Sequence, residues 1–213
     1  MIPPNSLVFV IDDDPSIQIG LSRLLRATGY KSEIFGSATD FLARSPHPGP
    51  SCVIVDVRMP GLNGIKLQES LIQRRRQEQL IFITGHGNIP MCAQAMKAGA
   101  VDFLPKPFRN ARLLECIERA LTRSVDERIY MADRNKARQL LDLLTPREFE
   151  VMQLVTTGML NKQIAGELGT GEKTVKVHRG RVMQKLGITS VAELVHLTQK
   201  AAIAPITGYK TKV

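Results

Sequence analysis

Tryptophan is absent from this sequence, and three Tyr and seven Phe hold the aromatic share to 5%. That scarcity argues against a wide aromatic platform for stacking bases or sugars. Cysteine is scarce too: Cys52, Cys92 and Cys116 lie far apart, with no CxxC pair and no Cys/His cluster at zinc spacing. An odd number cannot complete an intrachain disulfide framework, so reduced thiols in a cytoplasmic protein are the expectation. No apolar run is long enough to span a bilayer, because the stretch 80–96 is interrupted by Gly85, His86, Gly87, Asn88 and Pro90. Residues 1–6, MIPPNS, have neither the basic start nor the apolar core of a signal peptide. No membrane partner is expected.

What the chain has in excess is positive charge. Its 213 residues carry a net +9. Residues 1–123 hold +4, residues 124–143 are neutral, and residues 144–213 hold +5. The last third is densest in net charge, which suits a polyanion such as nucleic acid, and equally suits a basic solvated surface.

Through residue 123, short apolar runs alternate with amphipathic ones. The runs are Leu7–Ile11, the flanks of Ile34 and Phe35, Cys52–Val55, Leu80–Thr84 and Val101–Leu104. Helical patterns fall near 15–28, 37–44, 64–76, 89–98 and 110–123. This alternation, with nearly unbroken apolar strands, predicts a doubly wound α/β domain on a five-stranded parallel sheet. Asp14-Pro15 reads as an N-cap with Pro at the first helical position, and Gly29 and Gly99 stand where helices end. Residues 124–143 contain no Gly or Pro, and Leu121, Val125, Ile129 and Ala132 recur at helical spacing. They read as a long helical linker continuing the fifth helix. From Thr145 the pattern is helical only, over 146–157, 161–168, 172–185 and 190–200, which predicts an all-α four-helix domain at 144–213. The tail after Ala202 is expected to fray.

In an open parallel sheet, functional residues collect beyond the carboxyl ends of the strands. Asp12, Asp13 and Asp14 follow the first strand, Asp56 ends the third, Thr84 ends the fourth, and Lys106 follows the fifth. Clustered carboxylates repel one another, and a hard divalent cation relieves that repulsion. A carboxylate can attack phosphorus to form an acyl phosphate, and an ammonium group can stabilise charge on the transferring oxygens. Singly, an Asp after a strand is a turn residue, Asp14 is a helix cap, and Lys-Pro means little. The joint register of the set at the strand ends carries the chemistry. Arg74-Arg75-Arg76 reads as a solvated helix end, and His86 as a loop residue.

The segments VFVIDDDPS, VIVDVRMPGLNG, LIFITGHG and AVDFLPKPF resemble the receiver domain of two-component response regulators. The resemblance covers roughly residues 6–123. It implies that Asp56 is the phosphoacceptor, and that Asp12 and Asp13 form the acidic pair. It further implies Mg²⁺ held by Asp13, Asp56 and the Arg58 carbonyl, with Asp12 beside them. Thr84 and Lys106 match the hydroxyl and the phosphate-pairing lysine, and Phe103 matches the aromatic switch position.

In the last domain, helix 161–168, a glycine-containing turn and helix 172–185 fit a helix-turn-helix. Ile164, Leu168, Val175, Val182 and Leu186 can pack inward, while Lys173, Lys176, Arg179, Arg181 and Lys185 lie on the second helix. GTGEKT, residues 169–174, lacks the order of a phosphate loop and follows no strand. The block from Leu144 to Ile188, with TVKVHR within it, resembles the LuxR-type DNA-binding domain. With the receiver in front, the chain is similar to the NarL/FixJ family. ITGHGNIPMCAQAMKAGAVDF and LNKQ resemble its members that regulate aromatic-hydrocarbon degradation.

The resemblance implies that Lys176 and Val177 face bases. Lys173, Thr174, Arg179 and Arg181 are then further DNA contacts, and Asn161 and Lys162 touch phosphates from the preceding helix. Gly180 stands where some relatives have a longer side chain. The implied partners are a sensor histidine kinase, promoter DNA, RNA polymerase and, once phosphorylated, a second copy of the chain. The implied activity is transcriptional control rather than turnover, with catalysis limited to the chain's own phosphorylation and dephosphorylation. A vestigial receiver, a phosphatase with an aspartyl intermediate and a protein-interaction adaptor are the rival readings.

Overall fold

The computed structural model describes residues 2–85 and 89–204. The expectations for His86 and for the chain after residue 204 lie outside them. The first elements are β1 (Leu7–Ile11), α1 (Pro15–Ala27), β2 (Ser32–Phe35), α2 (Ala38–Ala43) and β3 (Ser51–Asp56). They are followed by α3 (Gly64–Gln73), β4 (Gln79–Thr84), α4 (Ile89–Lys97), β5 (Asp102–Pro105) and α5 (Asn110–Leu141). All strand pairings are parallel, in the order β2-β1-β3-β4-β5. The strand order reverses between β1 and β3, which opens a crevice at their carboxyl ends.

The period of two along each strand sorts its side chains between two cores. Phe9, Ile11, Val53, Val55 and Phe82 pack with Phe41, Leu67, Leu71 and Ala95 of α2, α3 and α4. Val8, Val10, Ile54, Ile81 and Ile83 pack on the other face with Leu21 and Leu25 of α1 and Leu113 and Ile117 of α5. Burial on both faces explains why β1, β3 and β4 read as unbroken apolar runs. At the start of α1, the Asp14 carboxylate accepts the Ser16 N–H at 2.8 Å, with Pro15 in the first turn.

The arginine run departs from expectation. Helix α3 ends at Gln73, and Arg75 adopts a left-handed φ of 54°. That reversal turns Arg76 inward. Its guanidinium pairs with Glu78, with Nε 3.0 Å from Oε1, and lies 4.7 Å above the Phe41 ring. Both side chains of the pair are 5% exposed or less. Arg76 is therefore a buried cation rather than part of a solvated helix end.

The chain divides into two compact units between Arg128 and Ile129. The first unit runs past residue 123 because α5 pins the loops beneath the sheet. Ser124 Oγ accepts the Ser51 N–H at 3.1 Å, and Arg128 donates to the carbonyls of His47 and Pro48 at 2.9 and 2.7 Å. A helix of 32 residues rises about 48 Å, whereas a five-residue strand covers about 17 Å. The helix must therefore overrun the sheet it packs on. Leu121 is buried, but Ile129 is 58% exposed, so the apolar spacing along the connector is not a continuous core stripe.

The second unit adds α6 (Pro146–Thr156), α7 (Asn161–Glu167), α8 (Glu172–Leu186) and α9 (Val191–Lys200). Its core gathers Val151, Met152, Leu154, Ile164, Val175, Val182, Leu186 and Leu194, closed by Ala137 and Leu141 from the end of α5. Thr145 and Glu148 form a reciprocal capping box at the start of α6.

Candidate acidic site and helix-turn-helix

Four strand ends converge. Asp12 follows β1 and is fully buried, Asp56 closes β3 at 9% exposure, Thr84 closes β4 fully buried, and Lys106 follows β5. One oxygen of Asp12 accepts the Asp14 N–H at 2.9 Å, and the other accepts the Lys106 ammonium at 2.7 Å. The same ammonium stands 3.7 Å from Asp56 Oδ2. Backbone bonds set this geometry. The Lys106 N–H donates to the Thr84 carbonyl at 2.7 Å, and the Val57 N–H donates to the Ile83 carbonyl at 3.0 Å.

Carboxylate oxygens of Asp12, Asp13 and Asp56 all lie within 4.8 Å of one another. Asp56 Oδ1 is buried and accepts no hydrogen bond among the described residues. Burial pushes the Asp56 carboxyl above the usual carboxylate range and repulsion from Asp12 adds to it, while Lys106 and the backbone N–H groups of Arg58 and Val57 oppose. An all-oxygen donor set with an unsatisfied buried oxygen fits a hard divalent cation. Arg58 is exposed, two residues beyond Asp56. Phe103 is partly buried, with its ring 6.0 Å from that of Phe82.

Two residues of this site had no role assigned from sequence. Gln18 Nε2 donates to the Asp12 carbonyl at 2.6 Å and fixes the β1–α1 turn. Gly64 begins α3 so close to β3 that a Cβ there would sit 2.6 Å from the Asp56 carbonyl oxygen. The signal was present in VIVDVRMPGLNG, but only the fold reveals what Gly64 touches. Beside the site, a groove of about 590 Å³ opens between α1 and the 106–110 segment, lined by Ile17, Gly20, Leu21, Lys106, Pro107 and Phe108.

In the second unit, α7 and α8 meet through Ile164, Val175 and Val182. Gly169 takes the left-handed φ of 60° that the turn between them requires. Lys162, Lys173, Thr174, Lys176, Val177 and Arg181 are exposed, with Val177 at 47%. Arg179, half-buried, donates to Asn161 Oδ1 at 3.2 Å and ties the two helices together. Lys185 turns the other way: its ammonium pairs with the buried Glu148 at 2.6 Å and donates to the Leu143 carbonyl at 3.2 Å. It is a structural cation of the bundle.

Comparison with known proteins agrees with both halves. Residues 8–118 match the response regulator receiver domain, and residues 142–198 match the bacterial regulatory proteins of the luxR family. Nodulation protein W of Bradyrhizobium diazoefficiens is 42% identical over 98% of this chain and 92% of its own length. Response regulator protein TmoT of Ectopseudomonas mendocina is 40% identical over 92% of this chain and 89% of its own. Among solved structures, response regulator StyR is 48% identical with a TM-score of 0.74, covering 92% of this chain and 99% of that one. Full-length FixJ from B. japonicum is 36% identical with a TM-score of 0.54, covering 92% and 97%.

Proposed function

The chain belongs to the response regulators that join a receiver domain to a LuxR-type DNA-binding domain, and from that premise we propose that phosphorylation of Asp56 controls DNA reading by α8. The observation that carries the site assignment is the Lys106 ammonium, 2.7 Å from Asp12 and 3.7 Å from Asp56, beside three carboxylates within 4.8 Å.

A carboxylate oxygen of Asp56 attacks the phosphorus of a phosphohistidine on a sensor kinase. The N–P bond breaks, its electron pair stays on the imidazole nitrogen, and an acyl phosphate forms. Asp13, Asp56 and the Arg58 carbonyl, beside Asp12, would hold a Mg²⁺ ion, which would supply positive charge for the phosphoryl oxygens. Lys106 exchanges its pairing with Asp12 for pairing with a phosphoryl oxygen, a short movement within one site. The groove lined by Gly20 and Phe108 shares Lys106 with the site and opens beside it.

Thr84 Oγ1 then hydrogen-bonds the phosphoryl group, and Phe103 repacks inward toward Phe82. The face of α4, β5 and α5, where Ile89 is 86% and Met96 41% exposed, pairs with a second copy. Two copies of α8 read paired half-sites of promoter DNA and recruit RNA polymerase. Lys176 and Val177 read base edges. Lys173, Thr174, Arg179 and Arg181 contact phosphates or bases, and Asn161 and Lys162 of α7 hold the phosphate backbone. The chain acts where that DNA is, in the cytoplasm. Its target is an aromatic-degradation operon, a reading supported by the resemblance around Gly85 and Leu160. Comparable identity to a nodulation protein makes this the part that transcript profiling with and without an aromatic inducer must test.

The central test treats the intact chain and Asp56→Asn with acetyl phosphate and Mg²⁺, following acyl phosphate, dimerisation and binding to a genomic fragment library together. Asp56→Asn should form no acyl phosphate. Equal phosphorylation of both would refute the site, and no specific fragment bound by either would refute the output.

A further inference from the structure

An α-helix places Lys173, Lys176, Val177, Gly180 and Gln184 of α8 along one stripe, diametrically opposite the buried line of Val175, Val182 and Leu186. Every residue of that stripe is exposed. Gly180 lies at its centre, in the ninth position of a 15-residue helix. Glycine is the poorest helix former after proline, so a helix-interior glycine needs a reason.

Two reasons internal to a protein are a left-handed φ and a close neighbour. Gly180 has neither: its φ is not positive, and a Cβ built on it meets nothing within 4 Å among the described residues. Gly64 shows the contrast, since its Cβ would meet backbone at 2.6 Å. Two other helical glycines are equally open. Gly166 lies in the last turn of the short α7, where its carbonyl joins the turn by accepting from the Gly169 N–H. Gly20 lies mid-helix in α1, lining the groove beside Lys106.

Resting on the DNA reading above, we propose that Gly180 is a specificity-determining position: its missing side chain lets the base edges of the major groove approach the α8 backbone directly. Lys176 and Val177 lie one turn before it on the same stripe. The depth at which α8 seats decides whether those two side chains reach base edges or stop at the groove rim. A methyl group at residue 180 holds the helix away from the bases while leaving the cationic contacts to phosphates in place. Sequence-specific binding suffers and non-specific binding does not.

The test compares the full-length chain, phosphorylated with acetyl phosphate, with Gly180→Ala. The probes are a duplex selected from a random library by the wild-type chain, and an unrelated duplex of equal length. The alanine variant should unfold a few degrees higher, because the helix is a better one. It should nevertheless bind the selected duplex about tenfold more weakly, the scale of one methyl group forced into a packed interface. Affinity for the unrelated duplex should stay unchanged, and a library selected by the variant should lose preference at the positions under the middle of α8. Unchanged or tighter binding of the selected duplex by a stabilised variant would overturn the inference alone. Failure of the wild-type chain to select any duplex would overturn the DNA reading and the inference with it.

Discussion

Replacing Gly64 with alanine should damage the phosphoacceptor site from behind. The added Cβ lands 2.6 Å from the Asp56 carbonyl oxygen and 3.2 Å from both Val57 Cα and the Phe82 ring. Ordinary contact begins near 3.4 Å, so something must move by about 0.8 Å. Two of the three neighbours are backbone of the segment that holds Asp56, and the strand cannot yield without dragging the carboxylate. Overpacking of this kind costs about 1–3 kcal/mol. Alanine recovers less than about 1 kcal/mol through helix propensity at this first position of α3. Net destabilisation of about 1–2 kcal/mol lowers the unfolding midpoint by several degrees.

The larger effect is on transfer. Displacing Asp56 by a sizeable fraction of an ångström relative to Lys106 should slow phosphorylation by roughly ten- to a hundredfold. Stopped-flow measurement with acetyl phosphate and Mg²⁺, beside a melting curve, reads both quantities. A variant that melts as wild type and phosphorylates at the wild-type rate would refute the claim that the α3 start holds Asp56 in position.

Lys106→Met leaves the Asp12 carboxylate, whose side chain is 1% exposed, without its cation. Stability should fall by about 3 kcal/mol in chelator and recover largely on adding Mg²⁺, read by urea denaturation. An Mg²⁺ response equal to that of wild type would count against a cation at this cluster. Arg76→Met strands Glu78 and should cost about 3 kcal/mol, whereas the double change Arg76→Met with Glu78→Leu should recover most of it. Glu148 is held down to about 2 by Lys185 and the Thr145 N–H. Its folded value lies below the ordinary glutamate value, so its stabilisation is present above about pH 4.5 and is lost as pH falls towards 2. Amide exchange in α6 and α8 should accelerate across that window in wild type and show no such step in Glu148→Gln.

Much of the receiver was legible because its signals are local or periodic. Burial on both faces leaves a strand no alternation to hide, so β1, β3 and β4 appeared as apolar runs with a reactive residue at each end. Asp14-Pro15 and the Thr145 capping box satisfy their own helix's N–H groups, and nothing distant alters that. Where one residue's meaning depends on another far along the chain, legibility ended. Arg76 reads as solvated until Phe41, thirty-five positions earlier, is found beneath its guanidinium. Lys185 reads as one more cation of the second helix until Glu148 is found to take its ammonium inward.

By itself, then, the sequence determined which segments are strands and helices, and which residues carry carboxylate, hydroxyl and ammonium groups at their ends. Both are properties of neighbours within a few positions. Only the tertiary structure decided which oxygen of Asp12 meets Lys106, why α3 must begin with glycine, and which cations of α8 remain available to a polyanion. Those outcomes depend on distances between segments tens of residues apart, which packing sets.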